Sequence, residues 1–144
     1  MGSRMGEIEE LPGTVLVVDD HPLVARMVAR LLRLRGIECE THLRSFGLLN
    51  RIAELKPALV LLDVEMPGID GSSLTALIRK DLALSGCRVI LHSGLPEADL
   101  ARIAGECGAD GYLPKGPAMN GLLRMVSRWL RDPGVSRHAA TSSS

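Results

Sequence analysis

Short apolar runs rich in β-branched residues recur along the chain, at Thr14–Val18, 58–62 and 88–91, and more weakly at 37–41 and 111–113. The three strongest are continuous, without the polar alternation of a strand that has one face in water. A run apolar on both sides needs cover on both faces, which is how a buried parallel strand reads. Between the runs the period lengthens to that of a helix. Pro22 suits a first helical turn, and Leu23, Met27, Leu31 and Leu34 line one face until Gly36 stops the segment. Ser45 is placed to cap a second helix carrying Leu48, Leu49, Ile52 and Leu55, which Pro57 ends. A third carries Leu74, Leu77, Ile78 and Leu82 as far as Gly86. A short fourth follows Pro96 with Leu100, Ile103 and Ala104, and a fifth holds Met119, Leu122, Leu123, Val126 and Leu130. Five strand–helix units in strict alternation predict an α/β fold with a five-stranded parallel sheet. Five are too few for an eight-stranded barrel, so right-handed crossovers give an open, doubly wound sheet with helices on both faces. Periodicity leaves the strand order open.

Composition narrows the class. With 144 residues and 46% hydrophobic positions, the chain suits one domain with its own core and is not a disordered polymer. Residues 14–131 are expected to form that domain. Before it, residues 1–13 look like a tag scar and a polar lead-in; after it, 132–144 read as a flexible tail or the start of a linker. The 17 basic side chains balance 17 acidic ones, which removes the global electrostatic case for nucleic acid or an anionic membrane. No apolar stretch approaches the ~20 residues that span a bilayer, and the start does not resemble a signal peptide. Cys39, Cys87 and Cys107 are too few and too scattered for a disulfide framework or a zinc site. A cytoplasmic location is the expectation. Phe46, Tyr112 and Trp129 are the chain's three aromatic residues, so the core is expected to be aliphatic.

The candidate chemistry sits where the strands end. In open α/β sheets, sites form outside the carboxyl ends of the strands. The first run ends in Asp19-Asp20, the third in Asp63, the fourth in Ser93 and the fifth in Lys115. Three carboxylates on one edge repel one another, and a hard divalent cation relieves that repulsion. Mg²⁺ takes one or two carboxylates, a carbonyl and several waters. Lys115 adds a mobile positive charge for an anionic oxygen, and Ser93 a donor. Together they describe a phosphoryl-transfer site with an aspartate nucleophile. His21 and His92 lie near in sequence and are expected in rim or core roles, since oxygen ligands suffice for Mg²⁺.

Four separated motifs then agree in order and spacing: Val-Leu-Val-Val-Asp19-Asp20-His21-Pro22, Leu-Leu-Asp63-Val-Glu65-Met66-Pro67-Gly68-Ile-Asp70-Gly71, Ile-Leu-His-Ser93-Gly94 and Gly108-Ala-Asp110-Gly-Tyr112-Leu-Pro-Lys115. From about Thr14 to Arg131 the chain resembles the receiver domain of bacterial response regulators. The resemblance implies a flavodoxin-like sheet of order 2-1-3-4-5. It implies that Asp63 accepts phosphate from a histidine kinase or histidine phosphotransfer protein. Asp20 would hold Mg²⁺ directly and Asp19 through water, with the Asp63 carboxylate and the Glu65 backbone carbonyl completing the protein ligands. Ser93 and Lys115 would bind phosphoryl oxygens, and Tyr112 would act with Ser93 as the switch. The receiver would be a signalling switch rather than an enzyme on an external substrate, with a homodimer or output partner met through helix 4, strand 5 and helix 5. This domain would not contact nucleic acid itself. One departure is the order Lys115-Gly116-Pro117, where many receivers place proline directly after the lysine.

Other classes fit less well. A small-molecule phosphatase with an aspartate nucleophile usually carries a second aspartate two residues on, where this chain has Glu65. A flavodoxin cradles phosphate after its first strand, where Asp19-Asp20 would repel it. A receiver used only as an unphosphorylated docking module would not need the acidic residues and lysine. Two surface features stay open at the level of sequence. Trp129 reads either as the margin of the core or, with Met125, as part of an interface. Arg26, Arg30 and Arg33 on the first helix and Arg124, Arg128 and Arg131 on the last read either as solvated faces or as one basic patch.

Overall fold

A computed structural model describes residues 13–116 and 120–131. Five strands, β1 (Thr14–Val18), β2 (Glu38–His42), β3 (Leu59–Leu62), β4 (Arg88–Ser93) and β5 (Gly111–Pro114), alternate with five helices. These are α1 (Pro22–Leu34), α2 (Leu48–Leu55), α3 (Gly71–Lys80), α4 (Glu97–Cys107) and α5 (Asn120–Arg131). The strands are all parallel and lie in the order β2-β1-β3-β4-β5. Each side chain along a strand turns to the opposite face from its neighbour. Val15 and Val17 therefore join Leu59, Leu61 and Ile90 under α1 and α5, while Leu16 and Val18 join Val60, Leu62 and Leu91 under α2, α3 and α4. Cover on both faces is why the central runs are continuously apolar.

Expectations for three helices are corrected. In α1 the buried stripe is Ala25, Val28, Ala29 and Leu32. Leu23, Met27 and Leu34 stand 73%, 50% and 57% exposed, and Leu31 is only partly buried against the core. The segment carries two apolar stripes at helical spacing, and the smaller residues won. Alanine at positions 25 and 29 lets the helix backbone approach the sheet, which bulkier side chains would hold away. The cap of α2 is also displaced. Gly47, at φ +78°, precedes the helix, and Ser45 Oγ instead donates to the Pro67 carbonyl at 3.3 Å. In α3, Leu74 and Ile78 are buried as expected, whereas Leu77 is exposed and Leu82 lies beyond the helix at 91% exposure. The cap of α3 is Asp70, whose side chain accepts from the Ser73 N–H at 2.9 Å. Trp129 is a core residue, 2% exposed, with the Arg88 guanidinium 4.9 Å from its ring centre. Burial of the indole on the α1/α5 face gives it a core role, and Met125 packs against the same cluster. Met119 lies outside the described residues.

Gly71 fixes how the first turn of α3 meets the end of β3. A Cβ there would drive into the Asp63 carbonyl oxygen and stand 2.9 Å from Val64 Cα, and neither backbone atom can move away independently. Gly71→Ala is expected to destabilise the fold by about 2 kcal/mol despite alanine's better helix propensity. Urea unfolding checks this, and an unchanged midpoint would show that the loop yields freely.

Candidate functional site

The four strand ends place the candidate residues on one rim, each for a local reason. β1 runs straight into Asp19, whose N–H donates to the His42 carbonyl at 3.2 Å, and Pro22 then starts α1. Asp63 follows β3 and is held by its own N–H to the Val18 carbonyl at 2.9 Å. Ser93 closes β4. The Lys115 N–H donates to the Ser93 carbonyl at 2.7 Å, extending the β4–β5 ladder by one residue and aiming the lysine at the rim. No peptide bond among the described residues is cis, and Pro117 lies outside them. Lys115 reaches the acidic residues with that loop order.

Asp19 and Asp63 are each 2% exposed, and Asp20 is half-buried. Lys115 Nζ stands 2.7 Å from Asp19 Oδ2 and 3.6 Å from Asp63 Oδ1. Asp63 Oδ1 also accepts the Glu65 N–H at 3.3 Å. Burial pushes the Asp63 carboxyl up, Lys115 pulls it down and Asp19 pushes it up again, leaving it at about 6. Burial also raises Asp19, but the hydrogen bond from Lys115, aided by the His21 N–H, outweighs it and holds that carboxyl below its ordinary value. The lysine thus serves Asp19 first, and of the two buried carboxyls Asp63 is the one left raised. Beneath the rim, burial with Lys115 nearby drives His92 down to about 4, so it stays neutral in the core.

The donor set fits a hard cation. One ligand atom from each of Asp19, Asp20, His21 and Asp63 lies within 4.8 Å of the others. Asp20 Oδ1 is buried and accepts no hydrogen bond, although His21 Nδ1 lies 3.3 Å away. An orphaned carboxylate oxygen facing two further carboxylates calls for a positive partner.

Ser93 is fully buried, and its Oγ accepts from the Leu95 N–H at 3.2 Å. Tyr112 is half-buried on β5, packed on the α2/α3/α4 side. Asp19, Asp20, Asp63, Ser93 and Lys115 are therefore at the expected edge, with Tyr112 two positions farther in on β5; the Ser93 hydroxyl and the Tyr112 side chain make no hydrogen bond to the carboxylates or the lysine amine. His21 belongs to the rim and His92 to the core. The sequence reading missed the engagement of the His21 ring with both aspartates; its place directly after Asp19-Asp20 was the available signal.

A family model for the response regulator receiver domain matches residues 15–127. The chain belongs to the response regulator receiver domain family. The receiver is 38% identical over 132 residues to the transcriptional regulatory protein PrrA of Mycobacterium leprae, covering 90% of this chain and 54% of that protein. It is 30% identical over 112 residues to the DNA-binding transcriptional activator EvgA of Escherichia coli, covering 77% and 54% respectively. The receiver thus spans about half the length of these relatives. Among solved structures, the BeF3-activated N-terminal receiver domain of Klebsiella pneumoniae RstA superposes with TM-score 0.75 at 28% identity, over 82% of this chain and 98% of that one. A putative response regulator from Chloroflexus aurantiacus gives 0.77 at 28% identity, over 83% and 98%. Among the described residues, no helix is long and apolar enough to cross a membrane.

Proposed function

We propose that this receiver is a phosphorylation-dependent switch of a two-component system, with Asp63 accepting a phosphoryl group from a histidine kinase or histidine phosphotransfer protein. The observation that carries this reading is the state of Asp63: a buried carboxyl, raised above its ordinary value, 3.6 Å from a lysine nitrogen. With its carboxyl at about 6, Asp63 is ionised at neutral pH and is the nucleophile that attacks phosphorus. Its O–P bond forms as the donor's N–P bond breaks in line, and the histidine departs with its nitrogen lone pair restored. Lys115, now on Asp19, pairs with a phosphoryl oxygen, and the Ser93 hydroxyl donates to another. Asp20, Asp63 and the Glu65 carbonyl would hold Mg²⁺, with Asp19 through water. When bound, the ion neutralises charge on the carboxylates and on the transferred oxygens.

Phosphate can shift the fold only through contacts that differ between the two states. Ser93 leaving its Leu95 contact, and Tyr112 taking the space it vacates, would alter the α4–β5–α5 surface, where a homodimer or output partner is expected. Such a receiver catalyses only its own phosphorylation and dephosphorylation, is not itself the nucleic-acid contact, and works in the cytoplasm. Exposure to acetyl phosphate and Mg²⁺ is expected to add ~80 Da to the wild type and nothing to Asp63→Asn. Equal labelling of the variant, read by intact mass, would overturn the assignment.

A further inference from the structure

The acidic pocket is not built of oxygen alone. His21 donates its backbone N–H to Asp19 Oδ1 at 3.0 Å, and its ring Nδ1 lies 3.2 Å from the same oxygen and 3.3 Å from Asp20 Oδ1. One ligand atom from each of Asp19, Asp20, His21 and Asp63 falls within a 4.8 Å span. Around a six-coordinate ion with bonds of ~2.1 Å, adjacent ligand atoms stand ~3 Å apart and opposite ones just over ~4 Å. The separations of 3.2 and 3.3 Å from Nδ1 to the two aspartate oxygens match such edges. The ring has no other structural duty: His21 occupies the N-cap position of α1, yet its side chain caps nothing and is 65% exposed. Its backbone is fixed beside the pocket by Pro22 and by the bond to Asp19. Lys115 occupies the other oxygen of Asp19, Oδ2, and so does not block the space that Nδ1 faces.

We propose that His21 is a fourth protein ligand of the pocket, and that it tilts cation choice toward first-row transition ions such as Ni²⁺. This goes beyond the Mg²⁺ reading above and rests on it, since it takes the acidic pocket to be the cation site. An imidazole nitrogen favours such ions, whereas Mg²⁺ prefers oxygen and keeps its waters. Ligation requires the ring proton on Nε2, at the exposed side of the ring, so that the Nδ1 lone pair now opposed to Asp19 meets the ion. Mg²⁺ gains little from the nitrogen; Ni²⁺ gains a bond.

Isothermal titrations of Mg²⁺ and of Ni²⁺ into the wild type, His21→Asn and Asp20→Ala, at one pH, test the idea. Asparagine keeps a polar, cap-competent residue before Pro22, and circular dichroism verifies the fold of each variant. His21→Asn is expected to weaken Ni²⁺ by about tenfold or more while moving Mg²⁺ less than about twofold. Mn²⁺ bound to the wild type should show nitrogen modulation in pulsed EPR that His21→Asn abolishes. Equal shifts for Mg²⁺ and Ni²⁺, or no shift for either, overturn the inference. Asp20→Ala separates the two readings. Loss of both ions there with no effect of His21→Asn defeats this inference alone, whereas retention of both ions in Asp20→Ala defeats the cation-site reading as well.

Discussion

Arg79→Ala is expected to destabilise the receiver by about 3–5 kcal/mol, the cost of breaking a buried ion pair from one side. Arg79 leaves α3 and ties together the segments flanking β4 and β5. Its Nε donates to the Gly108 carbonyl at 2.8 Å, and Nη1 donates to Ser85 at 3.1 Å and Cys87 at 3.0 Å. Nη2 pairs with Asp110, which is 3% exposed and also accepts the Val89 N–H at 2.8 Å. Gly108 turns the end of α4 at φ +86°, so its carbonyl is presented by a conformation that glycine adopts freely. Removing the guanidinium takes a donor from three carbonyls and the closest cation from a buried carboxylate at once; Arg88, at 3.8 Å from Asp110, is too far to replace it. Arg79→Lys is expected to recover only part of the loss, since one ammonium cannot span four acceptors in a plane. Urea unfolding measures both variants. A loss below about 1 kcal/mol for Arg79→Ala would show that the network is solvated rather than structural.

The second large effect is a gain. Asp63→Asn is expected to stabilise the fold at pH 8 without Mg²⁺ by on the order of 3 kcal/mol, and to leave it unchanged near pH 4. The folded carboxyl titrates at about 6 against an ordinary 3.8, so the native state binds that proton more tightly. Below pH 4 both states hold it and nothing is lost. Between about 4 and 6 the unfolded chain ionises first and stability falls; above 6 the loss is complete. His92 works in the opposite sense. Its folded value of about 4 lies below the ordinary 6.5, so the unfolded chain takes that proton first and stability falls as pH drops through the same window. Asp19, held below 3.8, titrates outside it. The wild type should therefore be nearly level from pH 4 to 6. Asp63→Asn, with His92 unopposed, should climb across that range. Urea unfolding from pH 4 to 8 reads both slopes, and a pH-independent difference between the two proteins would disprove the assignment of the strain to Asp63.

The sequence by itself determined the strand–helix alternation, the parallel sheet and the edge on which Asp19, Asp20, Asp63, Ser93 and Lys115 meet. Each of these follows from local pattern: continuous apolar runs need two covered faces, and a polar residue ending such a run sits at the strand's carboxyl end. The strand order 2-1-3-4-5 came from likeness to receivers, because periodicity does not say which strands are neighbours. Only the tertiary structure decided which α1 stripe is buried. Leu23, Met27 and Leu34 are the more hydrophobic choice by bulk, but Ala25 and Ala29 are what the spacing between helix and sheet accepts. It also decided that Trp129 is core, since α1 and α5 share one face of the sheet and close over the indole. The division of charge within the site was likewise invisible in one dimension. Burial raises both carboxyls; Lys115 at 2.7 Å, with the His21 N–H, outweighs it at Asp19, whereas at 3.6 Å the lysine does not outweigh it at Asp63, which stays the raised acid.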